Sequence, residues 1–552
     1  MVFKAHPFMK KALLYFHTLR HLKPVQIFGR VWFHVKKPKR NPPPFLIEAR
    51  LPEKSLKPFV AKPGLFLAPD GFRFLNEEGR LTGQNDWNHE KKSQLWTYNL
   101  HYFHCLQDPE STGLHKDAFL ALMRRWVTEN PMGWGNGWLP YPLSLRIVSW
   151  IKFFLALGYV PDDLKQSLAD QLYYQMQRME EHLQGNHYFV NAKALVFGGL
   201  FFGEQGPAGV WFEKGMKILR DEVPEQVWED GANYELTPMY HSIFLEDMLD
   251  LLNLFAAYKK PVPDLWWDRT GKMLSYLEAV CHPDGDISFF NDAAWGIAPH
   301  PSALKNLAAD LGLQWERPQG LTVFPQAGFV RMESGQVVVL IDGGPTGPRH
   351  VFSHAHADNL SFELSYKGQR VFVNTGTSCY GYSEERHQER GTAAHNTVMV
   401  NNADQSEVWA GFRLARRAKP ILFKTSQDQD SYHFSGAHDG YGRLKGKPIH
   451  ERHISLGADC LIVDEIKGRG CHEVASFLHL HPNLHPHQEE EGRLLLELDG
   501  QPFCRLHVKG ATPNILTSYW SPEFGARIPN KTLAMVLKGS LPITLETRIE
   551  FL

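Results

Sequence analysis

Cysteine is scarce and scattered in this chain of 552 residues: Cys105, Cys281, Cys379, Cys460, Cys471 and Cys504 form no C-x-x-C pair, which excludes a disulfide scaffold and a zinc ribbon. They read as reduced thiols. Net charge is missing too: 59 Lys and Arg against 60 Asp and Glu leave a formal charge of -1, so the chain as a whole has no field for drawing in nucleic acid or an anionic membrane. An anionic partner has to be met by a local patch. No apolar stretch approaches the roughly 20 residues of a membrane span. Near the N-terminus the apolar run ALLYF is cut by His17 and Arg20 and lacks a small-residue cleavage site. We therefore read no secretory signal and expect a cytoplasmic protein.

What the chain has in quantity is aromatic residues, at 12% (35 Phe, 18 Tyr and 15 Trp), and 28 His. These supply flat stacking faces and titratable imidazoles. The length predicts roughly two to four domains. Residues 1–65 read as a short helical piece followed by a connector rich in Pro and Lys. Over 66–317, segments such as LSLRIVSWIKFFLAL and SIFLEDMLDLLNLFAAY repeat apolar residues at helical spacing, which fits an incomplete (α/α) toroid or a plain helical array. From 318 to 552 the period changes to two, in runs such as QVVVLID and HISLGADCLIVDEIKG, with Lys367-Gly368 as a hairpin tip. That half is expected to be an antiparallel β-sandwich. The fold class is thus α+β and multidomain, with a crevice between the halves as the default ligand site.

Four constellations carry chemistry. The first combines Asn99, His101 and Tyr102 with Trp134, Trp138 and Arg146, beside the Gly-rich GWGNGW. Trp faces stack on sugar rings, while Asn, His and Arg bond hydroxyls and carboxylates; core packing between helices is the competing explanation for each ring. The second, Gly185-Asn186-His187, opens a helical segment, where an amide and an imidazole can meet an anion or Asn186 can cap the helix. The third puts Tyr240 and His241 on the first turn after Pro238, beside Asn233, Tyr234 and Glu235. The fourth is the densest: Ser353-His354-Ala355-His356-Ala357-Asp358, then Asn374, Tyr380, Tyr382, Arg386, Arg390 and His395. On a strand, His354 and His356 project to one side, so two imidazoles converge, as metal ligands do.

GNHYFVNAKAL, ELTPMYH, SHAHADNLSFEL and AAHNTV, in this order, resemble the heparinase II/III family of polysaccharide lyases, including the related oligoalginate lyases. The resemblance implies a toroid followed by antiparallel sheets, and a polysaccharide lyase that cleaves next to a uronic acid by β-elimination. It further implies that Asn186 and His187 bind the uronate carboxylate. Tyr240 is then the acid towards the leaving oxygen, or a base for some sugar configurations, and His354 a base or charge neutraliser. His356, His395 and, in place of the expected carboxylate, Asn374 match the family's structural zinc site. A neutral amide there is a departure, because it is a poorer zinc ligand.

Two other functions fit the residues. A glycoside hydrolase on a toroid would use paired carboxylates from Glu229, Asp230, Glu235 and Asp292. A non-catalytic sugar-binding or assembly protein of a polysaccharide-producing system would need only the aromatic faces. The expected partner is an anionic polysaccharide or oligosaccharide, with no nucleic acid. Arg146, Arg390 and Arg413 are candidates to read its acidic groups.

Overall fold

The computed structural model describes residues 7–43, 48–108 and 113–552. Proline opens many of its helices, since the first turn needs no amide hydrogen from that position. Two short helices, α1 (Pro7–Leu19) and α2 (Pro24–Val35), come first. A small antiparallel ribbon follows, β1 (Phe66–Leu67), β2 (Gly71–Phe74) and β3 (Glu77–Arg80). The helical body then runs through α3 (Gln94–Tyr102), α4 (Lys116–Glu129), α5 (Pro140–Leu157), α6 (Asp162–Gln177), α7 (Gly185–Phe201), α8 (Pro207–Gln226), α9 (Pro238–Ala257), α10 (Asp264–Val280) and α11 (Pro301–Leu311). This is the incomplete (α/α) toroid.

The inner helices are apolar on nearly every side. In α7 all residues but His187 and Tyr188 are buried, which suits a helix ringed by others. Gly198 and Gly199 let its neighbours approach: a Cβ there would stand 2.4 Å from a Leu172 methyl carbon and 2.5 Å from Phe212 Cβ. Buried charges bind α5, α7 and α9 to one another. The Lys193 ammonium lies 2.6 Å from Asp247 and 2.5 Å from Asp250, and Lys152 lies 2.6 Å from Asp250.

The second half is antiparallel sheet. β4 (Leu321–Phe324), β5 (Phe329–Ser334), β6 (Val337–Asp342), β7 (Phe362–Tyr366) and β8 (Gln369–Phe372) pair in sequence order. Lys367 and Gly368 turn from β7 to β8 with φ of 50° and 79°, the two positive values a tight hairpin needs. An eight-stranded sheet, ordered 420–427, 432–438, 449–456, 460–467, 543–551, 501–509, 493–498 and 484–490, and a four-stranded sheet, ordered 513–520, 528–540, 471–479 and 398–400, complete the sandwich. A short helix, α12 (Glu384–Glu389), crosses back towards the toroid.

One hydrophobic core runs across both halves, and the sheets add a second of their own. Tyr276 of α10 meets Phe324 and Phe329 at centroid distances of 4.9 and 5.8 Å, and Trp520 meets Phe289 and Trp295 at 5.9 and 5.3 Å.

Candidate active site

Three inner helices begin at the same end of the toroid, and each puts a chemical group on its first turn: Tyr141 on α5, Asn186 and His187 on α7, and Tyr240 on α9. Helix N-termini carry partial positive charge and unpaired amides, so their convergence favours an anion. The geometry holds the groups together. The Asn186 amide donates to Tyr141 Oη at 3.0 Å, and the Tyr141 ring lies 4.4 Å from His187. Asn186 does not cap its helix; its side-chain oxygen has no partner among the described residues and is free for a ligand. Gly185, at φ +57°, makes this turn possible, because a Cβ there would come within 2.9 Å of Glu235 Oε1.

His187 pairs with Glu180 Oε2 at 3.1 Å and keeps 40% of its side chain exposed. Burial works against its charge, but the Glu180 carboxylate raises its pKa above the usual value. A cationic imidazole beside the α7 N-terminus is suited to a carboxylate.

The facing wall comes from the sheet half. His354 and His356 lie in a turn and not on a strand, because the alternating pattern begins only at Phe362. They converge nevertheless, through Asp292, which lies between α10 and α11. Asp292 Oδ2 is 2.8 Å from His354 Nδ1, and Oδ1 is 2.7 Å from His356 Nε2. Arg386 of α12 closes on the same carboxylate with both terminal nitrogens, one of them at 2.7 Å. Burial opposes the charge on Asp292, yet Arg386 and the two imidazole donors hold it well below the usual carboxylate range. An ionised Asp292 holds a proton on His354 Nδ1, while Nε2 faces the Glu235 carboxylate at 3.8 Å. The Tyr240 ring stacks on His354 at 3.9 Å, and its hydroxyl lies 3.1 Å from that of Tyr380. Burial, then the neighbouring Tyr380, pushes the Tyr240 phenol well above 10, so it rests as a neutral acid.

Several residues expected at the substrate do structural work instead. His101 is fully buried, bonded to Trp87 O at 2.8 Å and accepting from Trp126 at 3.1 Å. Arg146 is equally buried: it stacks on Trp126 at 3.7 Å and donates to Gly137 O at 2.8 Å, while Trp138 donates to Asn130 O. Asn99 bonds back to Leu95 O. Tyr102 is buried edge-on to Tyr141 at 6.0 Å. Asn233, donating to Gln226 O, braces the loop that carries Glu235, and Tyr234 packs beside His350. Arg390 donates to Ala355 O at 2.9 Å and so holds the histidine turn from behind. Arg413 lies over Trp409 and Tyr15, where it docks α1. Trp134 and Tyr382 remain open, 37% and 82% exposed. Tyr141 was not singled out as a site residue from the sequence, although the prolines on either side of it signal its helix start; Asp292 entered only as a hydrolase carboxylate.

The expected zinc ligands do not suit the ion. His356 gives Nε2 to Asp292 and faces His395 Nε2 with Nδ1 at 3.3 Å. Asn374 accepts the Asn396 amide hydrogen at 3.2 Å with its carbonyl oxygen. Burial lowers His356 to about 4 and holds His395 well below the usual imidazole range. His395 Nδ1 and Asn374 Nδ2 have no partner among the described residues, and with the amide of Asn374 in place of a carboxylate the donor set is a poor one for zinc.

A model described as the heparinase II/III N-terminus matches residues 63–308, and one described as heparinase II/III-like, C-terminal, matches 316–551. Heparin-sulfate lyases of Bacteroides stercoris and Pedobacter heparinus are 28% and 27% identical to this chain, over 49% and 50% of it and 45% and 47% of their own lengths. The FtsZ-localized protein C of Caulobacter vibrioides is 26% identical over 48% of the chain and 44% of its own length. The chain spans about half the length of the curated relatives it matches. In fold, a solved heparinase III superposes with a TM-score of 0.69 at 16% identity, covering 95% of this chain and 88% of that one. The heparan sulfate lyase of Pedobacter heparinus gives 0.60 at 18% identity, covering 96% and 88%. With its toroid matched by one model and its sheets by the other, the chain belongs to the heparinase II/III family.

Proposed function

We propose that this cleft cleaves a uronate-containing polysaccharide or oligosaccharide by β-elimination. The observation that carries the reading is the pairing of a neutral phenol, Tyr240, with an imidazole oriented by Asp292, opposite Asn186 and His187. A hydrogen at C5 of a uronate is barely acidic, because its removal builds a second negative charge beside the carboxylate. Asn186, His187 and the α7 N-terminus bind that carboxylate and hold the growing charge. His354 Nε2 takes the C5 proton, and the electron pair left behind forms the C4=C5 double bond. The C4–O bond breaks, and the Tyr240 hydroxyl protonates the leaving oxygen. The products are a 4,5-unsaturated uronate end and a new hydroxyl end.

Two of the four carboxylates a hydrolase would draw on are committed elsewhere. Asp292 is locked by Arg386, and Asp230 accepts the backbone hydrogens of Gln326 and Ala327. Kinship with relatives named heparin-sulfate lyase supports heparan-type chains as the first substrates to try. A second reading, a non-catalytic assembly role, draws on the relative named FtsZ-localized protein C.

The test is the full chain incubated with heparan, chondroitin, hyaluronan, alginate and bacterial exopolysaccharides, followed by the ultraviolet absorbance of the conjugated product. Tyr240→Phe is expected to lower the rate by about 10²–10⁴-fold. Reducing ends that rise without that absorbance would mean hydrolysis, and no turnover on any uronate would leave the assembly role.

A further inference from the structure

The chain is near neutral overall, but its first 47 residues hold ten Lys and Arg and no Asp or Glu. Within this segment α1 and α2 keep an apolar face off the protein. On α2 the exposed residues are Phe28 (74%), Val31 (62%), Trp32 (62%) and Val35 (67%), with Ile27 beside them. At 100° per residue these positions occupy a single face of the helix. The opposite face is fixed to the body: Gln26 donates to His350 O at 2.9 Å, Lys23 pairs with Glu225, and Phe33 packs on His182 at 4.5 Å. Arg178 donates to the carbonyls of Phe33 and Lys36 at the far end. The outward face is therefore held in place. Exposed cations, Arg30, Lys36, Lys37, Lys39 and Arg40, flank or follow it.

We infer that this arm seats the protein on an anionic lipid surface, with α2 lying in the interface plane. Aromatic and branched side chains on one face with cations at the border are the composition of an interfacial helix. The positive charge complements anionic headgroups, where an ordinary apolar protein groove would have no use for it. Solvent-exposed Trp and Phe at these levels are costly to leave in water. The cleft is close by: Lys23, just before α2, reaches the side chain of Gln184 at 3.4 Å, and Gln184 precedes the Gly185-Asn186 turn. Seated this way, the protein would meet polysaccharide held at the membrane.

Sedimentation of the full chain with phosphatidylcholine vesicles containing roughly one part in four phosphatidylglycerol tests this. Binding is expected to be at least about tenfold stronger than to pure phosphatidylcholine and to weaken with salt. The double variant F28S/W32S, altered only at exposed positions, should lose it, and K36E/K37E should weaken it. Circular dichroism checks that both variants are folded. Equal binding to both vesicles, or none, would overturn the inference. So would light scattering that shows a dimer abolished by F28S/W32S without vesicle binding, since the face would then belong to a second copy.

Discussion

At the scale of single residues, the proposed reaction draws its acid and its base from two different environments. Tyr240 is kept protonated by burial, and the His354 tautomer is set by one carboxylate. His187 is the residue whose charge Glu180 tunes, and the sign follows. Glu180 raises its pKa, so the cation persists to higher pH than an ordinary imidazole would allow, and is lost as pH rises through that raised value. Glu180→Gln should move the alkaline limb of the kcat/KM profile to lower pH, with the acid limb unmoved. A pH–rate profile of both proteins checks it; an alkaline limb that stays in place would show that His187 is not the cation that meets the substrate.

Legibility at this scale was uneven for a physical reason. Motif spacing exposed Asn186, His187, Tyr240 and His354, which cluster in the structure. Trp138, His101 and Arg146 have the same residue types but lie inside the toroid, where helices are surrounded and the apolar period no longer marks a water-facing side. Arg146 is the clearest case: as a cation it reads as a ligand for acids, yet its plane lies on Trp126, and it donates to the Gln171 side chain and the Gly137 carbonyl.

At the scale of elements, proline marked the helix starts plainly, and the period change near residue 320 marked the passage to sheet. The histidine turn was misread as strand, because Asp292, the group that draws its two imidazoles together, lies more than sixty residues upstream. The start of α7 is the most constrained of the elements that form the cleft. Gln184 and Gly185 both have positive φ, 61° and 57°. Gly185→Ala should cost about 1–2 kcal/mol from the backbone alone and also push on Glu235, displacing Asn186. We expect a lower melting temperature together with a larger fall in kcat/KM than in thermal stability; an unchanged rate would mean that Asn186 does not depend on this turn.

At the scale of the whole molecule, toroid and sandwich are not separate bodies on a hinge. Tyr276, Phe289 and Trp295 on one side and Phe324, Phe329 and Trp520 on the other form a continuous apolar layer. One melting transition is therefore expected, with helical and sheet signals lost together. Trp520→Ala should lower stability by about 3–5 kcal/mol without splitting that transition. Calorimetry with circular dichroism checks it; two separated transitions would show that the halves fold independently.

The Asp292 clasp has a consequence for inheritance. His354, the proposed base, stands on one half of the chain, and the carboxylate that orients it stands on the other. Neither half carries the chemistry as a module: a fragment with every histidine of the motif would hold an imidazole with no fixed tautomer. Recombination that exchanged one half for a relative's would pass on the shape and would keep the activity only where the donor also brought an acid to this one position.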